Sequence, residues 1–228
     1  MKKILFVLTS HNRMLNHQKK TGVWLGEFTD PYYQFINEGF EVSLSSPLGG
    51  RPPIDPLSKL TEYISGTNRR FKSDEKAQES FSKTRFLEEV HAYDYDALFI
   101  PGGHGPMWDL ANYKKCGSLI LEFYEQGKPI GAVCHGPAAL LSTCQLEPSF
   151  LKNKKVTSFS NLEEKLVLRN KDIPFYLENR LKENDADFST SFLPFTPHIV
   201  KDGLLITGQN PASAGNVAQK MIETLRGR

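Results

Sequence analysis

The chain has 228 residues, with 28 lysines and arginines against 26 aspartates and glutamates and a net charge of +2. Charges of both signs are mixed along it, so there is no electrostatic footprint for nucleic acid, and no apolar run is long enough to span a bilayer. Three cysteines, Cys116, Cys134 and Cys144, form neither a disulfide framework nor a zinc motif and fit a reducing, cytoplasmic setting.

Residues 3–9 read as a buried strand. Their apolar run is too short for a secretory signal, and no small-residue cleavage site follows. A polar loop, 10–20, comes next. Residues 22–38 have helical spacing, with Val23, Trp24, Phe28 and Phe35 toward the core. Pro31 is expected to kink this helix and Gly39 to end it. A second strand covers 40–45, and 47–56 is rich in Gly and Pro and irregular. Residues 57–89 are polar with helical stretches, so 47–90 is expected as a surface insertion. A third strand, 95–100, runs into Pro101-Gly102-Gly103-His104-Gly105-Pro106. A helix near 116–126 leads to an apolar strand ending at Cys134, and a helix of small residues starts at once. A strand at 155–159 precedes helical signals over 161–183, within a second expected insertion at 161–195. Strands at 198–200 and 204–207 form a hairpin across Asp202-Gly203, and 211–225 is the last helix.

Strands alternating with helices predict one α/β domain over 1–228, an open, mostly parallel, flavodoxin-like sheet with helices on both faces. Ligands bind such sheets at the carboxyl ends of the strands. The loops 10–22 and 101–106 and the turn at Cys134 converge there.

Cys134 is the candidate nucleophile. Strand, reactive residue and immediate helix make the layout of a nucleophile elbow, and helix amides near the sulfur favour thiolate. A buried, inert cysteine is the rival reading. The apolar strand, Gly131, Gly136 and the adjacent His135 outweigh it. His135 is the candidate base. Sequence neighbours usually point apart, but a sharp elbow removes that objection. A carboxylate should orient the histidine. Glu163 and Glu164 both follow a strand end, where acids also suit a helix start, and the residues themselves do not choose between them.

Glu27 sits in an apolar helix beside Trp24, Leu25 and Phe28. Facing the core, it is desolvated, neutral and able to shuttle a proton; on the exposed stripe it is ordinary. Both readings stand. The amides of the Gly102–Gly105 turn, at Gly103 and His104, and the amide of His135 are candidates for an oxyanion site. The glycine run lacks the dinucleotide fingerprint and the phosphate-loop ending. Trp24, Trp108 and the two insertions are expected to set the pocket width. His11, His17, His91 and His198 show no ligand spacing, and neither metal nor other cofactor is expected.

With these residues in hand, the chain resembles the ThiJ/PfpI superfamily, within the class I glutamine amidotransferase-like fold. The resemblance is carried by residues 3–10, Thr21-Gly22-Val23-Trp24-Leu25-Gly26-Glu27, Gly39-Phe40-Glu41-Val42, residues 96–108, Ala132-Val133-Cys134-His135-Gly136-Pro137 and residues 205–213. Cys-His-Gly-Pro and Gly208-Gln209-Asn210-Pro211-Ala212-Ser213 resemble the heat-shock-protein-31 branch, which contains glutathione-independent glyoxalases of the glyoxalase III type. The resemblance implies that Cys134 is the nucleophile, Glu27 the acid beside it, His135 the histidine of the triad and Glu164 its carboxylate. It implies conversion of a small reactive dicarbonyl, methylglyoxal, to lactate in a stress role, without cofactor, by a homodimer. It also leaves room for a cysteine peptidase or amidase, a holdase chaperone, a protein deglycase or a redox sensor.

Overall fold

The computed structural model describes residues 1–16, 18–61 and 65–227; His17 lies outside them. Nine strands and seven α-helices are described: β1 (Lys3–Val7), α1 (Leu25–Asn37), β2 (Glu41–Ser46), α2 (Gly66–Ser73), α3 (Glu75–Ser82), β3 (Arg85–Phe86), β4 (Ala97–Ile100), α4 (Lys114–Glu125), β5 (Ile130–Val133), β6 (Lys155–Val156), α5 (Asn161–Leu166), α6 (Leu177–Glu183), β7 (Asp187–Phe188), β8 (Ile199–Asp202), β9 (Leu205–Gly208) and α7 (Ala214–Arg226).

Seven strands form one sheet in the order β3-β2-β1-β4-β5-β9-β8. All neighbours are parallel except the β8–β9 hairpin. Side chains alternate across a strand, so Ile4 and Phe6 of β1 enter one core and Leu5 and Val7 the other. The first core is an aromatic layer in which Phe6 meets Phe28, Phe35 and Phe99; α1 and α7 cover it. The second lies under α4 and the 3₁₀ helix Gly136–Gln145. Burial on both faces explains why these strands are continuous apolar runs.

The departures from expectation have local causes. Helix α1 begins at Leu25, not residue 22, because Val23 is extended and exchanges hydrogen bonds with a loop: its N–H donates to Pro53 O (2.8 Å) and its carbonyl accepts from Asp55 (2.9 Å). The helix runs unbroken through Pro31. The segment after Cys134 is a 3₁₀ helix rather than an α-helix. The strand expected at 155–159 is only β6, and it pairs with β7 outside the main sheet. From Thr157 onward the chain turns away, its amide donating to the Thr207 hydroxyl (2.9 Å) instead of to a ladder carbonyl. Within 47–90, β3 joins the sheet edge, and Phe71 and Phe81 are buried against Phe28. Among the described residues no helix is long and apolar enough to cross a membrane.

Candidate active site

Cys134 ends β5 with φ of 59°, in the left-handed region. Such a conformation costs a non-glycine residue roughly 1–3 kcal/mol and persists only where its surroundings hold it. Here the Cys134 N–H donates to Gly208 O and its carbonyl accepts from Phe159 N, both at 2.9 Å. Gly136 lets the turn close on β4: a Cβ there would lie 2.2 Å from the Ile100 carbonyl oxygen.

The elbow brings neighbouring side chains together. Cys134 Sγ is 3.3 Å from His135 Nδ1, and His135 Nε2 is 2.8 Å from Glu164 Oε2. Glu164 Oε1 is 2.9 Å from His104 Nε2. Burial by itself would raise the Glu164 pKa, but the two histidines outweigh it and hold the carboxyl well below its usual range. An ionised carboxylate only accepts, so both Nε2 atoms carry hydrogen. In neutral His135 the lone pair of Nδ1 therefore faces sulfur. Burial pushes His104 down to about 4, and neighbouring His135 adds to this. Its Nδ1 receives Arg169 Nη1 at 3.4 Å. Glu163 is spent elsewhere. It closes a capping box with Ser160 and accepts from Phe195 N and Asn210 Nδ2.

Glu27 is fully buried. Its Oε2 accepts the Gly102 N–H at 2.8 Å. Its Oε1 has no partner at full hydrogen-bond geometry, yet the carboxyl interacts with the Cys134 thiol. Burial pushes Glu27 up to about 8. Burial and then the charge of Glu27 push Cys134 well above its ordinary value. The two groups titrate as a pair. A proton on Oε1 removes the repulsion and points a donor at sulfur.

Among the described residues the amides of Gly103 and His135 have no acceptor in the protein. Both residues line the same cavity as Cys134, and His135 N is 2.7 Å from where a Cβ on Gly102, the neighbour of Gly103, would stand. A cavity of about 140 Å³ opens here, lined mainly by apolar side chains including Trp24, Leu57, Phe159, Val167 and Phe195, together with Cys134, His135, Gly103 and His104. Trp108 does not border it. That ring stacks on His11 and lines a separate cavity of about 550 Å³.

The nitrogens of His104 and His135 and an oxygen of Glu164 lie within 4.8 Å of one another, a spacing open to a metal. Both nitrogens instead hold the protons shared with Glu164, and the Arg169 guanidinium stands beside His104. The cluster is a hydrogen-bonded one. Sequence reasoning missed Arg169 and Asp55. Arg169 lines the cavity and pairs with buried Asp55 at 2.8 Å, 114 residues away in the chain.

A mostly parallel sheet that presents a strained cysteine, backed by histidine and glutamate, defines an α/β protein built around a cysteine elbow. The chain belongs to the DJ-1/PfpI family, whose model matches residues 20–224. It is 31% identical to the glutathione-independent glyoxalase HSP31 of Saccharomyces cerevisiae, over 99% of this chain and 98% of the relative. Among solved structures, Rapid Encystment Protein 24 KDa of Francisella tularensis superposes with a TM-score of 0.93 at 38% identity, covering 99% of both chains. Glyoxalase III of Candida albicans superposes with a TM-score of 0.87 at 27% identity, covering 97% of this chain and 96% of that one.

Proposed function

We propose that this protein is a glutathione-independent glyoxalase that converts methylglyoxal to lactate on Cys134. The observation that carries the reading is the small apolar cavity lined by Cys134, His135 and Gly103. At about 140 Å³ it falls well below the roughly 300–1,000 Å³ of sites for drug-sized ligands, so it suits a three-carbon molecule. An extended peptide needs an open groove, and this shape disfavours a peptidase. The full-length likeness to glyoxalases of two fungi supports the same activity.

In the proposed reaction His135 Nδ1 takes the thiol proton, and the imidazolium is stabilised by Glu164. Sulfur adds to the aldehyde carbon, and the new oxyanion lies against the amides of Gly103 and His135. Glu27 gives its proton to that oxyanion, leaving a hemithioacetal whose carbon is one bond from sulfur, the atom that Glu27 already faces. The buried Glu27 carboxylate so formed is a strong base for a carboxyl group. It removes the C1 hydrogen as the His135 imidazolium protonates the neighbouring ketone oxygen, forming an enediol and returning His135 to its neutral form. Glu27 then delivers that proton to C2 and takes back the one on the C1 oxygen, which leaves the lactyl thioester. Water then releases lactate and the thiol, with His135 as general base. Every atom of methylglyoxal and one water are accounted for, and no oxidant or reductant is needed.

The test is lactate formation from methylglyoxal in glutathione-free buffer, resolved with enantiospecific lactate dehydrogenases. D-lactate from the wild type and none from Cys134→Ala is the expected result. A Cys134→Ala protein that still makes lactate ends the proposal. A homodimer in the cytoplasm completes the reading, and sedimentation velocity checks the dimer.

A further inference from the structure

His104 is buried, belongs to neither the elbow nor the nucleophile–base pair, and is bonded on both ring nitrogens. We propose that His104 is a positioning residue: backed by Arg169 and Asp55, it fixes Glu164 and, through Glu164, the tautomer and orientation of the histidine facing Cys134. This role rests on the triad assigned above.

The geometry is a single buried line of contacts. Asp55 Oδ2 accepts from Arg169 Nη1 at 2.8 Å. The same Nη1 reaches His104 Nδ1 at 3.4 Å, and His104 Nε2 donates to Glu164 Oε1 at 2.9 Å. Glu164 Oε2 accepts from His135 at 2.8 Å, and His135 Nδ1 meets sulfur at 3.3 Å. Asp55 is itself held by the Thr21 hydroxyl at 3.1 Å and the Leu57 N–H at 2.9 Å. The line joins the loop before residue 57, α5 with the segment that follows it, the Gly102–Gly105 turn and the elbow, four pieces distant in sequence.

Each link constrains the next. A carboxylate with one partner can rotate about its last bond. Held by donors on both oxygens, Glu164 has its plane fixed. His104 supplies the second donor only while Nε2 keeps its hydrogen. Arg169 ensures this by presenting a donor to Nδ1, which must then be a lone pair, and its positive charge opposes a second cation on the ring. The charged and titratable groups facing His104 are Arg169, Glu164 and His135, whose ring centroid is 4.0 Å away. Those facing Cys134 are His135, Glu27, Glu163 and Glu164. Packing alone would ask for an apolar ring here, since Phe159 lies against the same pair of imidazoles. Two satisfied nitrogens ask for more.

The experiment combines long-range ¹⁵N–¹H spectra of the histidine rings with the pH profile of Cys134 alkylation by iodoacetamide, neither of which needs turnover. In the wild type, His104 should stay as the Nε2–H tautomer from pH 5 to 8. A His104 that titrates in that range, or carries its proton on Nδ1, overturns the proposal without any variant. His104→Phe keeps the ring and removes the donor. It should mix the His135 tautomers, move the alkylation profile, and lower the kcat for lactate roughly 10- to 100-fold, as loss of a histidine's outer hydrogen-bond partner does, with KM little changed. His104→Gln, whose Nε2 stands where the imidazole Nε2 stood, should restore most of the loss. Equal losses in Phe and Gln, or a fall in kcat with unmoved His135 signals and alkylation profile, reduce His104 to packing. A wild type with the expected tautomers and alkylation but no lactate would refute the glyoxalase reading and leave this one standing.

Discussion

Replacing Glu27 by glutamine should make the protein more stable and less active. In the fold the Glu27 carboxyl holds its proton up to about pH 8, against an ordinary 4.5. Between these values the unfolded chain has released this proton and the folded one has kept it. The folded state therefore binds more protons, and stability falls as pH rises. The loss is roughly 1.4 kcal/mol for each pH step, so about 3 kcal/mol at pH 7 and about 5 kcal/mol beyond pH 8, where it levels off. Glutamine is isosteric and does not titrate. Its carbonyl can accept the Gly102 N–H, and its amide can point toward Sγ. Cys134, which titrates with Glu27 as a pair, stays well above its ordinary value in the wild type, so below pH 8 the difference between the two stability curves is chiefly the Glu27 proton. Urea unfolding from pH 4.5 to 8 should show the variants level at the acid end and Glu27→Gln ahead by roughly 1 M in midpoint at pH 7, for an m of about 3 kcal/mol/M. The same variant should form no lactate. Parallel stability curves would mean that Glu27 is ionised in the fold at neutral pH and would remove the proton-bearing partner from the mechanism.

The two neighbouring acids should separate cleanly. Glu164→Gln should lower lactate formation at least about 100-fold, the scale of a lost general-base arrangement, whereas Glu163→Gln should cost roughly 1–3 kcal/mol in unfolding free energy through its buried hydrogen bonds and leave kcat within a few-fold. Gly102→Ala puts a methyl 2.7 Å from Glu27 Oε2 and from His135 N; calorimetry should register a loss of roughly 1–3 kcal/mol from overpacking, and activity should fall with it. Phe195→Ala opens one wall of the cavity, so phenylglyoxal should gain on methylglyoxal by roughly 10-fold or more in kcat/KM; unchanged selectivity would mean that Phe195 does not bound the substrate.

The order of strands and helices was legible because each is written locally, as an apolar run or a helical stripe. The elbow was legible for the same reason: strand, cysteine and glycines are contiguous. Glu27 stayed ambiguous because helical spacing puts it about 100° from its neighbours Phe28 and Gly26 without saying how wide the buried arc is; α1 is covered around most of its girth, so Glu27 and Thr29 are buried along with Leu25, Phe28 and Tyr32. The choice between Glu163 and Glu164 had a signal that was overlooked. Ser160-Asn161-Leu162-Glu163 is a capping-box sequence, which commits Glu163 to its own helix and leaves Glu164 for the elbow. Asp55 and Arg169 had no such signal. Their meeting is a product of tertiary structure, and charged residues in polar stretches are ordinarily solvated. Trp108 does not help set the width of the Cys134 pocket, because it follows the 3₁₀ helix Gly105–Met107 and lines the other cavity.

A Cys-His dipeptide is poor evidence for a catalytic pair until the backbone between the two is considered. In a strand the side chains would leave on opposite faces, and in an α-helix about 100° apart. The left-handed Cys134 followed by His135 at φ −91° and ψ −2° fits neither pattern and lets Sγ meet Nδ1. The turn is strained, so its persistence has to be secured from outside. The bonds from Cys134 to β9 and from Phe159 to Cys134 do that, and Gly136 removes the obstacle at β4. Each of these tethers also has a functional end. The Phe159 tether leads within one residue to Ser160, whose cap orders Glu163 and Glu164. The strand β9 leads to Asn210, which holds Glu163. Holding the cysteine in its costly conformation and delivering the carboxylate to its histidine are therefore accomplished by the same contacts. A change at Ser160 should accordingly disturb the elbow and the Glu164–His135 bond together rather than one at a time.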